Sequence, residues 1–555
     1  MTASSTDHRS TLPQLLAEVV ARTPGAPAVI DDTPDALTTT YGQLWRRVVS
    51  LRDDLRERGV GEGDCVAVYL PNWGDAIVWQ FAVAALGAHV VGINTRYAIG
   101  DIAHIVEQAR PVVVAVAHAF RGLPFRDRLR EGVRQAGVPA PSTAVITAPD
   151  QPPASSDAVA GYDLGAGAWP PREADLSAPL DPHALDGAPD ALAVAFATSG
   201  STGRPKLAAH LSSNVVHHAR AVAAAAGLGP ESRSLMPLPL SGVLAFSPAY
   251  ACLAGGGALV MQPSFDGPHA LALMERHGVT HLTSADDIGG RIKAAWEREP
   301  RNLSAFRRFL FGDFYGQSAD IARWFEQRTD CTAMGIYGSS EVFGLLTFWR
   351  PADDAPGRWA GGGRPPSPEA ELRIVDPVSG QPLPTGQSGE LQVRGYAVVD
   401  AYLGDSDGSV MAGNRSTDGW FRTGDLCHMC EDGSVVYQCR MGDSLRLKGF
   451  LVEPVEIESV IAQLPEVEMV KVVGLGGEGE MRPICFVVAR AGSTVDADAV
   501  RRYCVEQLAR YKVPEVVHVI DEMPTTRGAN GTKIRAAALR ELAAELDKAP
   551  TKGKK

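Results

Sequence analysis

Residues 194–210 read VAFATSGSTGRPKLAAH, an apolar run that leads into a segment of glycine, serine and threonine. The run LAVAFA at 192–197 predicts a buried strand. The segment after it ends in Gly203-Arg204-Pro205-Lys206, so a flexible backbone carries short hydroxyl side chains and a lysine ammonium. Such groups suit phosphate oxygens, which accept from backbone N–H groups and are neutralised by a cation. The stretch therefore predicts an α/β sheet strand followed by a phosphate-binding loop.

The loop differs from the common nucleoside-triphosphate loop, G-x-x-x-x-G-K-[ST]. Pro205 directly precedes Lys206 and disfavours a helix that begins there. Leu207 stands where the common loop has its magnesium-binding hydroxyl. The pattern favours a loop that wraps the β- and γ-phosphates of ATP while the chemistry takes place at the α-phosphorus. An ordinary Ser/Gly-rich turn is the alternative.

Composition bounds the class of protein. The chain has 555 residues, of which 45% are hydrophobic and 21% charged, so at least two domains are expected. A formal net charge of -12 argues against nucleic-acid binding as the main task. We find neither a secretory leader pattern nor an apolar run long enough for a membrane span. Eight cysteines, with a lone C-x-x-C at Cys427 and Cys430, predict a cytoplasmic protein with reduced thiols rather than a metal or disulfide framework.

The first third of the chain alternates helical and strand patterns. LPQLLAEVVART and YGQLWRRVVSLRDDLRERG predict amphipathic helices, and DAIVWQFAVAALGA predicts a further one. CVAVYL at 65–70 and PVVVAVA at 111–117 predict buried parallel strands. This alternation is typical of doubly wound α/β sheets. Residues 150–190 lack clear periodicity and are predicted to form a surface excursion.

The pattern of predicted secondary structure changes towards the C-terminus. From about residue 360, short strand patterns alternate with Pro/Gly turns, which predicts a small β subdomain. Beyond Asp443, helix and strand patterns alternate over about 110 residues and predict a small α+β domain. We therefore expect a large N-terminal domain over 1–442 and a small, mobile C-terminal domain over 443–555.

A series of motifs resembles the adenylate-forming (AMP-binding) superfamily of acyl- and aryl-CoA ligases, adenylation domains and luciferases. The motifs follow the family's order from about residue 10 to 540. They are TSGSTGRPK (198–206), YGSSE (337–341), GGGRP (361–365), SGELQVRG (388–395), WFRTGDL (420–426), Arg440 with Asp443, LRLKGFLVEPVEIE (445–458) and NGTKIR (530–535).

The resemblance implies roles residue by residue. Asp425 would accept hydrogen bonds from the ribose hydroxyls of ATP, and Glu341 would hold Mg²⁺ against the phosphates. Lys533 would bridge the substrate carboxylate and the α-phosphate, and Arg440 would contact ribose or phosphate. Tyr337 would stack on adenine. The remaining implied phosphate contacts are Thr198, Ser199, Gly200, Ser201, Thr202, Gly203, Lys206, Ser339 and Ser340.

The resemblance also implies a second step. The small domain would rotate about Asp443, so that Lys533 leaves the site and the segment Lys448-Gly449-Phe450 enters to admit a second nucleophile. For Lys533 the alternative is an ordinary surface lysine.

The sequence departs from the family pattern in three places. Ser241 and Gly242 stand where many members carry an aromatic residue and a histidine. FGDFYG at 311–316 adds Asp313, which is either a solvated turn residue or, if buried, a partner for a substrate amino or hydroxyl group. Leu207-Ala208 replace the usual glycine, which we interpret as packing variation. We predict a pocket lined by Ser241, Gly242, Phe246, Asp313, Phe314, Val342 and Phe343.

The leading hypothesis is an AMP-forming acid:CoA ligase for an aromatic or medium-sized apolar acid, using ATP, Mg²⁺ and coenzyme A. One alternative is a diazotase that adenylates nitrite and acts on an aromatic amine. Others are transfer to a carrier-protein thiol and, from another class, a non-catalytic adenylate-binding scaffold. The expected partners are small molecules, with no nucleic acid and no membrane, and the expected state is a monomer or a homodimer.

Overall fold

The architecture is that of a computed structural model, which describes residues 10–198, 205–314, 316–441, 445–447, 450–452, 454–476, 481–508, 510, 512–528 and 531–548. Its helices are α1 (Leu12–Arg22), α2 (Tyr41–Glu57), α3 (Gly74–Ala84), α4 (Ile99–Ala109), α5 (Phe125–Ala136), α6 (Ser156–Ala160), α7 (Ser212–Ala226), α8 (Val243–Ala254), α9 (Gly267–His277), α10 (Asp286–Arg298), α11 (Ser318–Arg328), α12 (Ser409–Gly413), α13 (Pro454–Ile461), α14 (Ala497–Gln507) and α15 (Ala536–Lys548).

The strands of the first half are β1 (Pro27–Ile30), β2 (Thr38–Thr40), β3 (Cys65–Tyr69), β4 (His89–Gly92), β5 (Val113–Ala117), β6 (Ser142–Ile146), β7 (Ala168–Trp169), β8 (Leu192–Ala197), β9 (Leu207–Leu211), β10 (Arg233–Met236), β11 (Ala258–Met261), β12 (His281–Ala285), β13 (Arg308–Gly312), β14 (Thr332–Tyr337) and β15 (Thr347–Phe348). Those of the second half are β16 (Gly362–Gly363), β17 (Ala370–Val375), β18 (Gly389–Gly395), β19 (Ala401–Leu403), β20 (Phe421–Met429), β21 (Val435–Arg440), β22 (Leu445–Leu447), β23 (Phe450–Val452), β24 (Val467–Leu475), β25 (Arg482–Ala489), β26 (Val516–Val519), β27 (Thr525–Gly528) and β28 (Gly531–Ile534).

Two eight-stranded sheets form the body of the N-terminal domain. One has the order β19-β9-β8-β4-β3-β5-β6-β7 and the other β15-β14-β13-β12-β10-β11-β1-β2. Their central strands are parallel, and the strand order reverses next to β3 in the first sheet and at β10 in the second. Such reversals leave a crevice at the carboxyl ends of the strands. The predicted doubly wound α/β fold is confirmed.

Local sequence explains why these elements begin where they do. Thr11 and Gln14 form a capping box at the start of α1, as Thr40 and Gln43 do for α2. Every residue of β3 and β5 is buried, as expected of parallel strands covered by helices on both faces. The elements match the helices and strands predicted from periodicity.

The segment 150–190 is more ordered than its sequence predicts. It contains α6 and the two-residue strand β7, which pairs with β6 at the sheet edge. The indole of Trp169 is buried, donates to Oδ2 of Asp54 at 3.3 Å and is covered by the guanidinium of Arg58 at 4.1 Å from the ring. Trp169 and the buried Tyr162, whose hydroxyl donates to the His118 carbonyl at 2.7 Å, therefore help to hold a stretch without periodicity against the sheet.

The β subdomain is the five-stranded sheet β16-β21-β20-β18-β17. Gly362 at its edge has φ +142, and a Cβ there would collide with the carbonyl oxygen of Val435, so the predicted GGGRP motif needs glycine for backbone contact. The C-terminal part contains the sheet β24-β25-β26 and the hairpins β22-β23 and β27-β28. This confirms a small α+β unit, while its predicted boundary at Asp443 lies outside the described residues. No helix in the described ranges is both long and apolar enough to cross a membrane.

Candidate active site

The candidate site lies where carboxyl ends of strands from both sheets converge. β8 ends in the phosphate loop, β13 in the segment around Phe314, and β14 in the motif that begins at Tyr337. β4 ends at Gly92, where a Cβ would lie 2.5 Å from Cβ of Ser241. Segments far apart in the sequence thus meet in one crevice.

A buried carboxylate stands at one side of this crevice. Oδ2 of Asp425 accepts a hydrogen bond from the Tyr337 hydroxyl at 2.6 Å, and its Oδ1 accepts from Nη1 of Arg440 at 3.0 Å. Nη1 also donates to the Thr423 carbonyl at 2.7 Å, which fixes the guanidinium. Burial, and then the charge of Asp425, raise the pKa of Tyr337 well above its ordinary value, so the phenol stays protonated. The carboxylate is held rigidly, with the ring of Tyr437 stacked on Tyr337 at 5.5 Å.

The flanks of the phosphate loop are fixed at both ends. The N–H of Thr198 donates to the carbonyl of Lys206 at 2.8 Å, which brings the two ends of the loop together. Nε2 of His104 donates to the Pro205 carbonyl at 2.7 Å. Oγ1 of Thr198 is buried and has no hydrogen-bond partner within the described ranges. An unsatisfied hydroxyl at the base of the loop suits a phosphate oxygen.

Tyr402 joins the loop lysine to the predicted metal ligand. Nζ of Lys206 lies 5.6 Å from the centre of the Tyr402 ring. After burial, the charge of Glu341 is the next largest influence that raises the pKa of Tyr402. Tyr402 lies on β19, which pairs with β9 directly after the loop. A cation and a carboxylate therefore border the same aromatic ring.

The turn that carries Glu341 is fixed by backbone bonds. The carbonyl of Ser340 accepts from Nε2 of His210 at 2.8 Å, and that of Glu341 accepts from the N–H of Val399 at 2.7 Å. Phe343 has φ +58, and the next residue, Gly344, donates its N–H to the Ser339 carbonyl at 2.8 Å. Burial lowers the pKa of His210 to about 4, so its imidazole is neutral. These bonds hold the backbone that carries Glu341.

Glu341 is the side chain of this arrangement that would suit Mg²⁺. Within the described residues, no group of three or more His, Cys, Asp and Glu side chains could form a metal cage. Glu341 is half-buried, and no ion pair to it is found in the part of the chain that the structure describes. One carboxylate plus substrate phosphates is a usual protein environment for Mg²⁺.

A small cavity lies at the switch points of the two sheets. Its volume is about 40 Å³, and its lining includes Gln80, Gly92, Phe196, Ser241, Phe246 and Tyr250. Ring stacking at 4.1 Å between Phe246 and Tyr250 makes one wall rigid. Oγ of Ser241 is buried with no partner among the described residues. The cavity is apolar, with one unsatisfied hydroxyl.

The structure therefore brings together only some of the predicted pocket residues. Ser241 and Phe246 line the cavity, and Gly242 caps α8 beside it. Phe314 is half-buried, and Val342 is fully buried in a separate cluster beneath the β subdomain. Asp313 is exposed and its Oδ1 accepts from the N–H of Gly316 at 2.9 Å, which matches the solvated-turn interpretation.

Comparison with known proteins identifies the family. The family model for AMP-binding enzymes matches residues 16–403. The family model for the AMP-binding enzyme C-terminal domain matches residues 456–530.

The chain belongs to the AMP-binding enzyme family.

Two relatives are similar to this chain over about nine-tenths of its length. The 3-[(3aS,4S,7aS)-7a-methyl-1,5-dioxo-octahydro-1H-inden-4-yl]propanoyl:CoA ligase of Rhodococcus jostii (strain RHA1) is 30% identical, over 90% of this chain and 93% of its own length. The indoleacetate–CoA ligase of Aromatoleum aromaticum is also 30% identical, over 91% and 93%. The crystal structure of ATP-bound MatB from Rhodopseudomonas palustris has a TM-score of 0.80 at 25% identity and covers 97% of this chain and 100% of its own. The AMP-binding enzyme family therefore accounts for both domains, and the prediction of an AMP-forming ligase is confirmed.

Several residues that the family pattern implicates remain predictions. Ser199, Gly200, Ser201, Thr202 and Gly203 lie outside the described residues, as do Lys448 and Gly449. Lys533 lies on β28, where its backbone pairs with Thr526 in a hairpin. Ser340 is buried and Ser339 half-buried in the turn before Glu341.

Sequence reasoning missed Tyr402, His210, Gly92 and Asp286. Tyr402 and His210 sit in runs that read as ordinary strand sequence, and Gly92 ends another. Their roles depend on contacts between distant segments. Asp286 follows the mixed run HLTSA (281–285), and the neighbouring Asp287 is the sequence signal for a polar group at this strand end.

Proposed function

We propose that this AMP-binding enzyme adenylates a carboxylic acid with ATP and passes the acyl group to coenzyme A. A carboxylate oxygen of the acid attacks the α-phosphorus, and pyrophosphate leaves. The CoA sulfur then attacks the acyl carbonyl carbon, and AMP leaves. The observation that carries the proposal is the buried Asp425 carboxylate, held by Tyr337 and Arg440 in the same crevice as Lys206 and Glu341. The CoA ligases among the relatives support the second half of the reaction.

The residues of this chain divide the first step between them. Asp425 accepts from the ribose hydroxyls, because an ionised carboxylate suits two O–H donors. Lys206 and the Thr198 hydroxyl bind the phosphates that become the leaving group. Glu341 would hold Mg²⁺, which would supply positive charge to those phosphates. Lys533 bridges the acid and the α-phosphate, stabilising charge that develops in the transition state.

For the second step, the C-terminal domain turns about Asp443. The segment with Lys448 and Gly449 replaces Lys533 at the crevice and lines the path of the nucleophile. Two alternating faces of one small domain would let a single site run two reactions in sequence.

The acid is compact, aromatic or medium-sized and apolar. A cavity of about 40 Å³ with the phenyl ring of Phe246 as a wall has room for a few heavy atoms beyond the crevice. Because one water needs about 10–15 Å³ by this measure, a long alkyl chain would not fit without rearrangement. The unsatisfied Ser241 hydroxyl favours an acid with one polar atom at its far end.

The test is pyrophosphate release from ATP with aromatic and medium-chain acids, each with and without CoA. The wild-type enzyme is expected to require an acid and to form a thioester with CoA. Glu341→Gln should lose most of this activity, whereas the matched surface variant Glu371→Gln should keep it. A requirement for nitrite and an aromatic amine, or for a carrier protein in place of CoA, would overturn the proposal in favour of that alternative. Nucleotide binding without turnover would indicate a scaffold.

A further inference from the structure

A buried carboxylate that the reaction scheme does not use lies at the end of β12. Asp286 is fully buried, directly after the strand that pairs in parallel with β13. In that register Ala285 stands beside Gly312, so the ends of both strands meet. Asp286 therefore faces the segment that leaves β13 towards the crevice.

The Asp286 side chain bonds to the backbone of this segment. Its Oδ1 accepts from the N–H of Phe314 at 3.1 Å, and its Oδ2 accepts from the N–H of Gln317 at 3.2 Å. Two N–H groups, three residues apart, thus converge on one carboxyl. The bonds replace the strand pairing that ends at Gly312.

Phe314 needs this support, because its ring folds back over the strand end. A Cβ at Gly312 would lie 3.1 Å from Cε1 of Phe314, so the ring rests on the bare glycine backbone. The ring position is then set by the backbone of Phe314, which Asp286 holds.

We propose that Asp286 is a positioning residue for the substrate site: its carboxyl holds the backbone of Phe314 and of Gln317 in the turn after β13, and through it the ring of Phe314, against the crevice. The inference rests on the proposed function for the part that concerns substrate, since Phe314 is a predicted pocket residue. The part that concerns the turn stands on the hydrogen bonds alone.

The charged groups around Asp286 make this fixation depend on protonation. Burial, and then the charge of Asp313 together with a hydrogen bond to it, raise the pKa of Asp286 to about 7. Asp287 faces Arg291 and Arg96, and burial raises its pKa. From the C-terminal domain, Glu458 faces Asp313 and is itself bonded to Nζ of Lys471 at 3.1 Å.

The raised pKa of Asp286 determines how the stability of the turn changes with pH. The folded-state pKa of Asp286 lies above its ordinary value of 3.8, so the turn is most stable below that value. Its stability falls as the pH rises through about 7, where the buried Asp286 carboxyl loses its proton beside the charge of Asp313. The turn is therefore expected to loosen towards alkaline pH.

The test is hydrogen–deuterium exchange at the amides of Phe314 and Gln317 in the full chain, corrected for intrinsic rates. In the wild-type protein, protection of both amides should fall between about pH 5 and about pH 8. Asp286→Asn should raise exchange at these amides about tenfold at about pH 5, the size of one lost hydrogen bond, and should flatten the pH dependence. Exchange elsewhere in the N-terminal domain should stay unchanged. Asp287→Asn is the matched control and should keep wild-type exchange.

Kinetics then separate positioning from a merely structural role. In pyrophosphate release, Asp286→Asn should raise KM for the acid about tenfold more than KM for ATP. Equal exchange in wild type and Asp286→Asn would overturn the proposal, as would an equal increase in Asp287→Asn. If no acid supports turnover, the proposed function fails while the exchange result still decides the role of Asp286. If Asp286→Asn does not fold, Asp313→Asn decides instead: it must extend protection of Phe314 and Gln317 to higher pH, and no such extension would overturn the proposal.

Discussion

The Tyr337 hydroxyl donates a 2.6 Å hydrogen bond to Asp425 at a point where both side chains are buried. This bond joins β14 of the large sheet to β20 of the β subdomain. The two halves of the proposed ribose site therefore come from different sheets, and this hydrogen bond joins them directly.

Removing that hydroxyl should weaken ATP binding. Tyr337→Phe keeps the ring but leaves Oδ2 of Asp425 without its donor, a loss of about 1–3 kcal/mol for a buried group. We expect KM for ATP to rise about tenfold or more with a smaller change in kcat, measured by pyrophosphate release. Tyr437→Phe keeps the stacked ring and serves as the control. An unchanged KM for ATP in Tyr337→Phe would show that the bond does not position Asp425.

Removing the lysine of the β27–β28 hairpin should separate the two half-reactions. Lys533→Ala should lower adenylate formation by at least about a hundredfold, because a charge-stabilising group is lost. Thioester formation from a supplied acyl-adenylate and CoA should remain near the wild-type rate. Lys533→Arg keeps the charge and tests whether geometry also matters. Equal loss of both half-reactions in Lys533→Ala would contradict this assignment.

Filling the strand end at Gly92 should change acid selection without affecting ATP. A Cβ there would lie 2.5 Å from Cβ and 2.6 Å from Cα of Ser241, so Gly92→Ala must displace the segment that lines the cavity. We expect kcat/KM for the acid to fall about tenfold or more while KM for ATP stays within about twofold.

The control for this variant is Gly61→Ala, since a Cβ at Gly61 meets no atom within 4 Å. It should behave as wild type in both assays. A fall in ATP affinity in Gly92→Ala would instead mean that the cavity serves the nucleotide.

Buried imidazoles should make the enzyme sensitive to acid. Burial lowers the pKa of His218 to about 3, well below its ordinary value of 6.5. Because the folded state binds the proton less readily, stability is present above pH 6.5 and is lost as the pH falls towards the folded pKa. At about pH 5 this one group costs on the order of 2 kcal/mol.

His218→Phe keeps an aromatic ring and removes the titration. The loss of unfolding free energy between about pH 7.5 and about pH 5, measured by urea denaturation, should shrink by about 2 kcal/mol in this variant. His183→Phe, at a more exposed position, is the control. An equal acid-dependent loss in His218→Phe and wild type would show that His218 is not the source.

The family motifs could place Tyr337, Glu341 and Asp425 in one site from the sequence, because each lies in a short run with a fixed local shape. Strand and helix periodicity likewise predicted β3, β5 and β8 of one large sheet, whereas the strands of the other sheet were not predicted one by one. Neither approach could find Tyr402 or His210, whose neighbours come from segments about 130 to 200 residues away. The cavity beside Ser241 is formed where the two sheets pack together, and a local sequence pattern does not predict that packing. The sequence leaves Asp313 either a solvated turn residue or a buried partner, and only the turn geometry shows its exposure.

The hydrogen bond between the Thr198 N–H and the Lys206 carbonyl has an entropic consequence. Bringing the ends of a flexible loop together costs free energy that depends on the length of the loop. Here β8 and β9 hold those ends as neighbours within the sheet. The free-energy cost of loop closure is therefore part of folding and not of nucleotide binding. Phosphate binding then does not have to bring Thr198 and Lys206 together, which leaves more of the interaction energy for affinity.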